Sequence, residues 1–137
     1  MTDLEKAREL LHDGNYGKCV LYSGEIFHTS NGQGISPMLE FLTAGLELKG
    51  FSAADTVAGK ATALLFAYAG VSALYADVMS KSAVDVLRRF GIRFVYEELT
   101  EQINNRTGDD MCPMERAVMN IDEPEEAFKI LREKLNM

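Results

Sequence analysis

Cysteine and histidine are scarce in this chain, which has two of each: Cys19, Cys112, His12 and His28. Two cysteines cannot build the disulfide framework of a small secreted protein. So few thiol and imidazole groups also leave little from which to assemble a metal site. We therefore predict no bound metal and no cofactor.

Positive charge is also in short supply, because 14 Lys and Arg residues stand against 21 Asp and Glu residues and give a net charge of -7. Such a chain repels a phosphate backbone, so we predict no nucleic-acid partner. The longest apolar stretch, residues 61–76, is interrupted by Thr62, Gly70 and Ser72 and is shorter than the about 20 residues of a membrane span. With an acidic N-terminus unlike a signal peptide, these features predict a cytoplasmic protein without membrane contact. The length predicts one domain over residues 1–137.

The first thirty residues predict a helix followed by a hairpin. Thr2 and Glu5 match a capping box ahead of apolar residues at helical spacing, and Gly14 stands where the helix would end. Two runs of strand-forming residues, 18–23 and 25–30, then flank the turn Ser23-Gly24. This pattern is typical of an antiparallel hairpin.

Helices and strands alternate after the hairpin. Helices are predicted from Ser36 to Gly50, with Ser36 as the cap, from about Gly59 to Ala69, and from Ser82 to Gly91. Strands are predicted at 72–78 and 92–96, and two further helices begin near Pro113 and Pro124. Short links between strand, helix and strand indicate parallel pairing. The chain is therefore predicted to be α/β, a three-layer α/β/α sandwich around a mixed sheet of four to five strands, and a fifth strand after the loop 104–110 stays an open question.

The order of hairpin, helix, strand, helix and strand resembles the cytidine-deaminase-like fold. Aligned with that pattern, Lys60 takes the position of the zinc-binding histidine and Thr62 that of the catalytic glutamate. Ser80 and Ala83 take the positions of the two zinc-binding cysteines. Since a zinc deaminase needs all four groups, the resemblance implies the fold and argues against zinc-dependent deamination.

A closer resemblance is to a family of short prokaryotic proteins of unknown function. Three motifs carry it: G-K-A-x-A-L-L at residues 59–65, Y-A-x-x-x-S-K-S-A at 75–83, and C-P-M-E at 112–115. The resemblance covers nearly the whole chain. It implies a deaminase-like fold without zinc and supplies no activity.

Two predicted helix starts follow strands and combine backbone N–H groups with lysines and hydroxyls. Ligands of α/β sheets bind at the carboxyl ends of strands, and helix N-termini favour anions. We therefore expect a small anionic, nucleotide-like ligand in the former active-site cleft, with contacts from Gly59, Lys60, Ser80, Lys81 and Ser82. Ordinary helix capping by the serines, with solvated lysines, explains the same residues.

Three further residues, Asn31, Gly34 and Asp55, are expected to orient that ligand. The loop at 31–37 has glycines that allow close backbone approach and an amide that both donates and accepts. Asp55 would pair with Lys60 at the rim of the cleft or bind a ribose hydroxyl. The alternatives are an ordinary glycine-rich turn and a helix cap formed by Asp55 with Ser52.

Cys112, which precedes Pro113 at a predicted helix start, is the candidate for covalent chemistry. A helix N-terminus favours the thiolate, so the alternative function is a cysteine-dependent enzyme with Cys112 as nucleophile in the same cleft. The acidic Glu115 opposes the thiolate, and a half-buried, inert cap residue is the competing interpretation. A third hypothesis is an interaction module that forms a homodimer through a sheet or helix face.

Overall fold

A five-stranded mixed sheet forms the centre of the protein in the computed structural model, which describes residues 1–105 and 107–136. The strands are β1 (Cys19–Ser23), β2 (Ile26–Ser30), β3 (Ser52–Ala58), β4 (Ala73–Ser80) and β5 (Arg93–Thr100). Their order across the sheet is β2-β1-β3-β4-β5. β1 runs antiparallel to both of its neighbours, whereas β3, β4 and β5 run parallel. The predicted hairpin and parallel pairing are confirmed.

Helices cover both faces of the sheet, which confirms the three-layer α/β architecture. The described residues form α1 (Asp3–Asp13), α2 (Ser36–Thr43), α3 (Lys60–Ala69), α4 (Lys81–Arg89), α5 (Pro113–Ala117) and α6 (Pro124–Lys134). α1 packs on one face, against β1, β3 and β4. On the opposite face α3 is the central helix and contacts α2, α4, α5 and α6.

The helix α1 forms as its sequence predicts. The Thr2 hydroxyl accepts a hydrogen bond from the Glu5 N–H at 3.1 Å, and the Glu5 carboxylate accepts one from the Thr2 N–H at 3.1 Å. Gly14 ends the helix with a φ of 86°, a left-handed conformation that glycine adopts without strain. One buried cluster joins the helix to the sheet: Ala7, Leu10, Leu11, Val20, Ala54 and Tyr75.

The helix α3 supplies the larger core on the other face. It is apolar on nearly all sides, and Leu64, Leu65 and Phe66 are fully buried. A helix with no polar face is stable only where neighbours surround it. Four other helices surround it, and its N-terminus lies at the end of β3.

The strand β3 is the main correction to the sequence-based fold. The interpretation of residues 52–55 as a helix cap is wrong, because these residues form the first half of β3, in the middle of the sheet. Alanine and aspartate have low strand propensity. Their small side chains suit a strand that has α1 on one face and α3 on the other. This strand, and not a segment after residue 110, is the fifth one.

Several predicted boundaries also shift. α2 ends at Thr43 rather than at Gly50, and Ile35 precedes its first residue, so Ser36 makes no capping hydrogen bond. Ser80, rather than Ser82, caps α4. In the predicted loop 104–110, Arg106 lies outside the described residues, and Asn104 forms an isolated antiparallel bridge with Met111.

Candidate functional site

A cavity of 590 Å³ opens at the carboxyl ends of the parallel strands. Lys60 follows β3, Ser82 follows β4 and Glu101 follows β5, so all three strands deliver a residue to its wall. The rest of the wall comes from α4 and from the C-terminal segment: Asp85, Val86, Arg89, Gln102, Met111, Glu115, Met119, Asp122 and Glu123. Two residues of the predicted site, Lys60 and Ser82, therefore meet in one cavity.

The carboxylate of Glu115 occupies the N-terminus of α3. Its Oε1 accepts a hydrogen bond from the Lys60 N–H and its Oε2 one from the Ala61 N–H, both at 2.7 Å. The first N–H groups of a helix have no partner within the helix and carry partial positive charge. The predicted anion-binding helix start exists, and the anion that it holds is a side chain of the protein itself.

Gly59 allows this close approach. A Cβ atom at this position would lie 2.3 Å from Oε1 of Glu115, far inside van der Waals contact. Gly59 has an extended backbone with a φ of -101°, a conformation open to any residue. Space for the carboxylate, rather than backbone freedom, therefore requires glycine here.

Burial and hydrogen bonding act on Glu115 in opposite directions. The side chain is buried, and burial raises the pKa of its carboxyl. The two backbone hydrogen bonds and the Lys60 ammonium lower the same pKa, and burial is the larger effect. The sequence does not reveal that Glu115 binds the start of α3, because Glu115 is 54 residues from Ala61 in the chain.

Lys60 reaches across the cavity to the C-terminal segment. Its side chain is only 14% exposed, and its Nζ donates to the Met119 carbonyl at 3.0 Å and to the Asp122 carboxylate at 3.3 Å. An ammonium has three donors. Among the described residues these contacts use two of them, so one donor remains for a ligand.

Arg89 is the second cation of the cavity wall. It donates to the Asp122 carbonyl at 2.6 Å and to the Glu123 carboxylate at 2.9 Å. The lining residues include five carboxylates and two cationic side chains, so the wall is mainly acidic. Polyphosphates would meet repulsion here, whereas a ligand with one anionic group and one donor group would find partners for both.

At the start of α4, the hydrogen bonds of the serines are those of a helix cap. Ser80 is fully buried, and its Oγ accepts a hydrogen bond from the Ala83 N–H at 3.1 Å and shares another with the Ser82 hydroxyl at 3.0 Å. Lys81 is exposed and forms an ion pair with Glu101. Of these three predicted residues, the structure brings only Ser82 to the cavity wall.

Asp55 lies inside the sheet and is not among the described residues that line the cavity. Its predicted roles, a pair with Lys60 or a bond to a ribose hydroxyl, stay predictions. It is 5% exposed within β3 and pairs in register with Cys19 of β1. Burial raises the pKa of Asp55 to about 8, against the opposing effect of hydrogen bonds from backbone N–H groups of Thr56 and Val57. Burial likewise raises the pKa of the Cys19 thiol.

The remaining predicted residues also lie away from the cavity wall. Asn31 and Gly34 are exposed in the loop between β2 and α2, and they are not among the described residues that line the cavity. Cys112 is half-buried beside Met111, and it is not among those lining residues either. Cys112 precedes α5 and makes no side-chain capping bond. Its role as nucleophile stays a prediction.

The four positions aligned with deaminase metal chemistry lie in the first turns of two helices. Lys60 and Thr62 belong to α3, and Ser80 and Ala83 stand at the start of α4. Within residues 1–105 and 107–136, no three His, Cys, Asp or Glu side chains come together in a way that could hold a metal ion.

The family comparison covers almost all of this fold. The family described as "TM1506: Domain of unknown function (DUF1893)" matches residues 6–135. The chain belongs to the DUF1893 family. The DUF1893 protein TM1506 from Thermotoga maritima has a solved structure that is similar, with 28% identity and a TM-score of 0.86 over 98% of this chain and 91% of that chain. These findings confirm the resemblance to a family of unknown function.

Two deaminases are also among the solved structures that match. A dCMP deaminase from the cyanophage S-TIM5 is 13% identical, with a TM-score of 0.46 over 71% of this chain and 93% of that chain. A diaminohydroxyphosphoribosylaminopyrimidine deaminase/5-amino-6-(5-phosphoribosylamino)uracil reductase from Thermotoga maritima is 16% identical, with a TM-score of 0.41 over 68% of this chain and 34% of that chain. Among curated proteins, none matches the sequence.

No helix in the described part of the chain has the length and apolar character needed to cross a membrane.

Proposed function

We propose that this protein binds a small nucleotide-like molecule in the cavity between α3, α4 and the C-terminal segment. The observation that carries the proposal is the cavity itself. Its volume of 590 Å³ falls within the range of about 300–1,000 Å³ found for small-molecule sites. Its place at the carboxyl ends of parallel strands is where α/β sheets bind ligands.

The two cations supply the contact for one anionic group. Lys60 has a donor left over, and the Arg89 guanidinium has five donors, of which two have partners among the described residues. Both side chains line the same cavity as the Ser82 hydroxyl. A monophosphate fits this set, because a single charged group can bridge the ammonium and the guanidinium.

The acidic remainder of the wall supports a hydrogen-bond donor on the other end of the ligand. Glu101, Glu115 and Asp85 present carboxylates that accept hydrogen bonds. Val86 and Met119 offer apolar surface for a flat ring. A monophosphate of a base with an exocyclic amino group, such as cytidine 5′-monophosphate, combines these features.

Isothermal titration calorimetry tests this proposal with cytidine 5′-monophosphate, uridine 5′-monophosphate and inorganic phosphate. We expect saturable binding of the cytidine compound and weaker binding of the uridine compound, which lacks the amino group. Absence of saturable binding for all three probes at millimolar concentration would overturn the proposal.

Matched variants place the binding in the cavity. Lys60→Met and Arg89→Met each remove a charged donor, so we expect each to weaken binding about tenfold or more. Lys129→Met is the control, because Lys129 lies on α6 with 70% of its side chain exposed and pairs with Glu125. Equal affinity of all three variants and the wild type would contradict the assignment of the site.

A further inference from the structure

The strand β5 forms one edge of the sheet and has no strand partner on its outer side in the described part of the chain. It is eight residues long and pairs with β4 in a constant register, without a bulge. It contains no proline and no lysine. Natural proteins use short strands, bulges, proline and charged side chains, lysine above all, to keep sheet edges from pairing with other chains. Of these protections β5 has only the charges of Arg93, Glu97 and Glu98.

The side chains of β5 are exposed although several are apolar. Val95, Tyr96 and Leu99 are 45%, 38% and 40% exposed, and no residue of the strand is fully buried. Helix α4 covers only one face, where the guanidinium of Arg88 lies 5.7 Å from the ring centre of Phe94. Exposed apolar residues on a long edge strand without a bulge, proline or lysine indicate an interaction surface.

The direction of the backbone groups decides how this edge can pair. The N–H of Arg93 donates to the Ser72 carbonyl, so it points inward, towards β4. Since backbone groups alternate along a strand, the N–H and C=O groups of Phe94 and Tyr96 point outward. These are the groups that a further strand would bind.

We propose that β5 pairs with β5 of a second copy of this chain, antiparallel and centred on Val95. In this register Phe94 of each copy lies opposite Tyr96 of the other, and the two residues exchange both backbone hydrogen bonds. Val95 then lies opposite the Val95 of the second copy, in a position without hydrogen bonds between the strands. The outcome is one continuous sheet through two chains.

Charge and ring complementarity favour this partner and this register. Arg93 of each copy lies opposite Glu97 of the other, which adds a second cation to the ion pair that Glu97 forms with Arg8 of its own chain. Within one chain the rings of Phe94 and Tyr96 already stack, with centroids 6.4 Å apart and an angle of 8° between the planes. The pairing places the two stacks side by side on the same face.

Sedimentation equilibrium gives the first test. We expect the full-length protein to have twice the 15.2 kDa mass of the chain. Val95→Glu places two carboxylates opposite each other and should give a monomer, whereas Val95→Thr keeps strand propensity and should remain dimeric. A wild-type monomer at every concentration, or a Val95→Glu dimer, would overturn the proposal.

Disulfide cross-linking tests the register. In the proposed pair the two Cα atoms of residue 95 lie about 4.5 Å apart, within the range of about 4.4–6.8 Å for disulfides. In a Cys112→Ser background, Val95→Cys should therefore form a covalent dimer on oxidation, because the remaining Cys19 is 1% exposed.

Leu99→Cys is the matched control, since Leu99 is exposed to a similar extent. In this register the two copies of residue 99 lie eight positions apart along the strands, about 27 Å, and should not cross-link. Equal cross-linking of both variants, or cross-linking of Leu99→Cys alone, would refute the register.

Discussion

Glu115 joins the C-terminal segment to the start of α3, and its substitution should lower the free energy of unfolding. Glu115→Gln keeps the size of the side chain but places an amide N–H₂ where a backbone N–H needs an acceptor. We expect a loss of about 1–3 kcal/mol, measured by urea denaturation. Glu123→Gln is the control, because it removes an exposed ion pair with Arg89 and should cost about 0–1 kcal/mol. Equal losses for both variants would contradict the buried role of Glu115.

Gly59 should be coupled to Glu115. The Cβ of Gly59→Ala meets the Glu115 carboxylate at 2.3 Å, so we expect this variant to lose about 1–3 kcal/mol of stability through overpacking. In a Glu115→Ala background the same change should cost much less, since the clash is gone. A double-mutant cycle measures the coupling. Additive effects of the two substitutions would show that the carboxylate does not occupy this position.

Asp55 should make stability depend on pH. The folded protein keeps this carboxyl protonated up to its pKa of about 8, whereas the unfolded chain releases the proton near the ordinary value of 3.8. Between these values the folded state binds more protons, so its stability relative to Asp55→Asn should fall as pH rises, by at most about 1.4 kcal/mol per pH unit. Denaturation of both proteins from pH 5 to 9 measures the difference. A constant difference would contradict the raised pKa.

At the scale of the elements, a polar contact supplements the apolar docking of α1 on the sheet. The buried Tyr75 of β4 donates its hydroxyl to Asp77 at 2.6 Å, and His12 of α1 lies 2.7 Å from the same carboxylate oxygen. Burial, followed by the hydrogen bond to Asp77, raises the pKa of Tyr75 to about 12. The phenol therefore stays a donor at any ordinary pH.

Tyr75→Phe should therefore weaken the protein without emptying the core. We expect a loss of about 1 kcal/mol in the free energy of unfolding, measured by urea denaturation. Tyr68→Phe is the control, because Tyr68 is 41% exposed and its ring stacks on Phe128. Equal stability of Tyr75→Phe and the wild type would show that the Tyr75 hydroxyl does not stabilise the fold.

The elements that could be predicted from the sequence are those with local signals. The capping box of Thr2 and Glu5, the hairpin turn, which the structure places at Gly24 and Glu25, and the apolar α3 each depend on residues close together in the chain. β3 has no such local signal. Its side chains are small because helices pack on both of its faces, and small residues do not have high strand propensity. The contact of Glu115 could not be predicted either, because its partners Lys60 and Ala61 come near it only in the folded protein.

The candidate site could be predicted only in part. The principle that a helix start after a parallel strand attracts an anion pointed to Lys60, which lines the cavity. It could not show that the Glu115 carboxylate binds the first N–H groups of α3, or that the Ser80 hydroxyl caps α4. Asp55 belongs to β3. Because β3 was not predicted, the position of Asp55 was predicted wrongly as well.

At the scale of the whole molecule, the net charge of -7 is distributed so that an acidic cavity still contains Lys60 and Arg89. These two cations are held by carbonyls and carboxylates of the C-terminal segment, which closes over the ends of the parallel strands. That segment therefore has two roles. It completes the wall of the cavity, and through Glu115 it supplies the anion that α3 requires.

The most direct test of the proposed binding is methyl NMR of the protein labelled at its methionines, titrated with cytidine 5′-monophosphate. Met111 and Met119 line the cavity, whereas Met38 is buried in the core on α2. We predict saturable shifts of the Met111 and Met119 methyl signals and an unchanged Met38 signal. Unchanged spectra at saturating concentration, or shifts confined to methionines outside the cavity, would contradict the account.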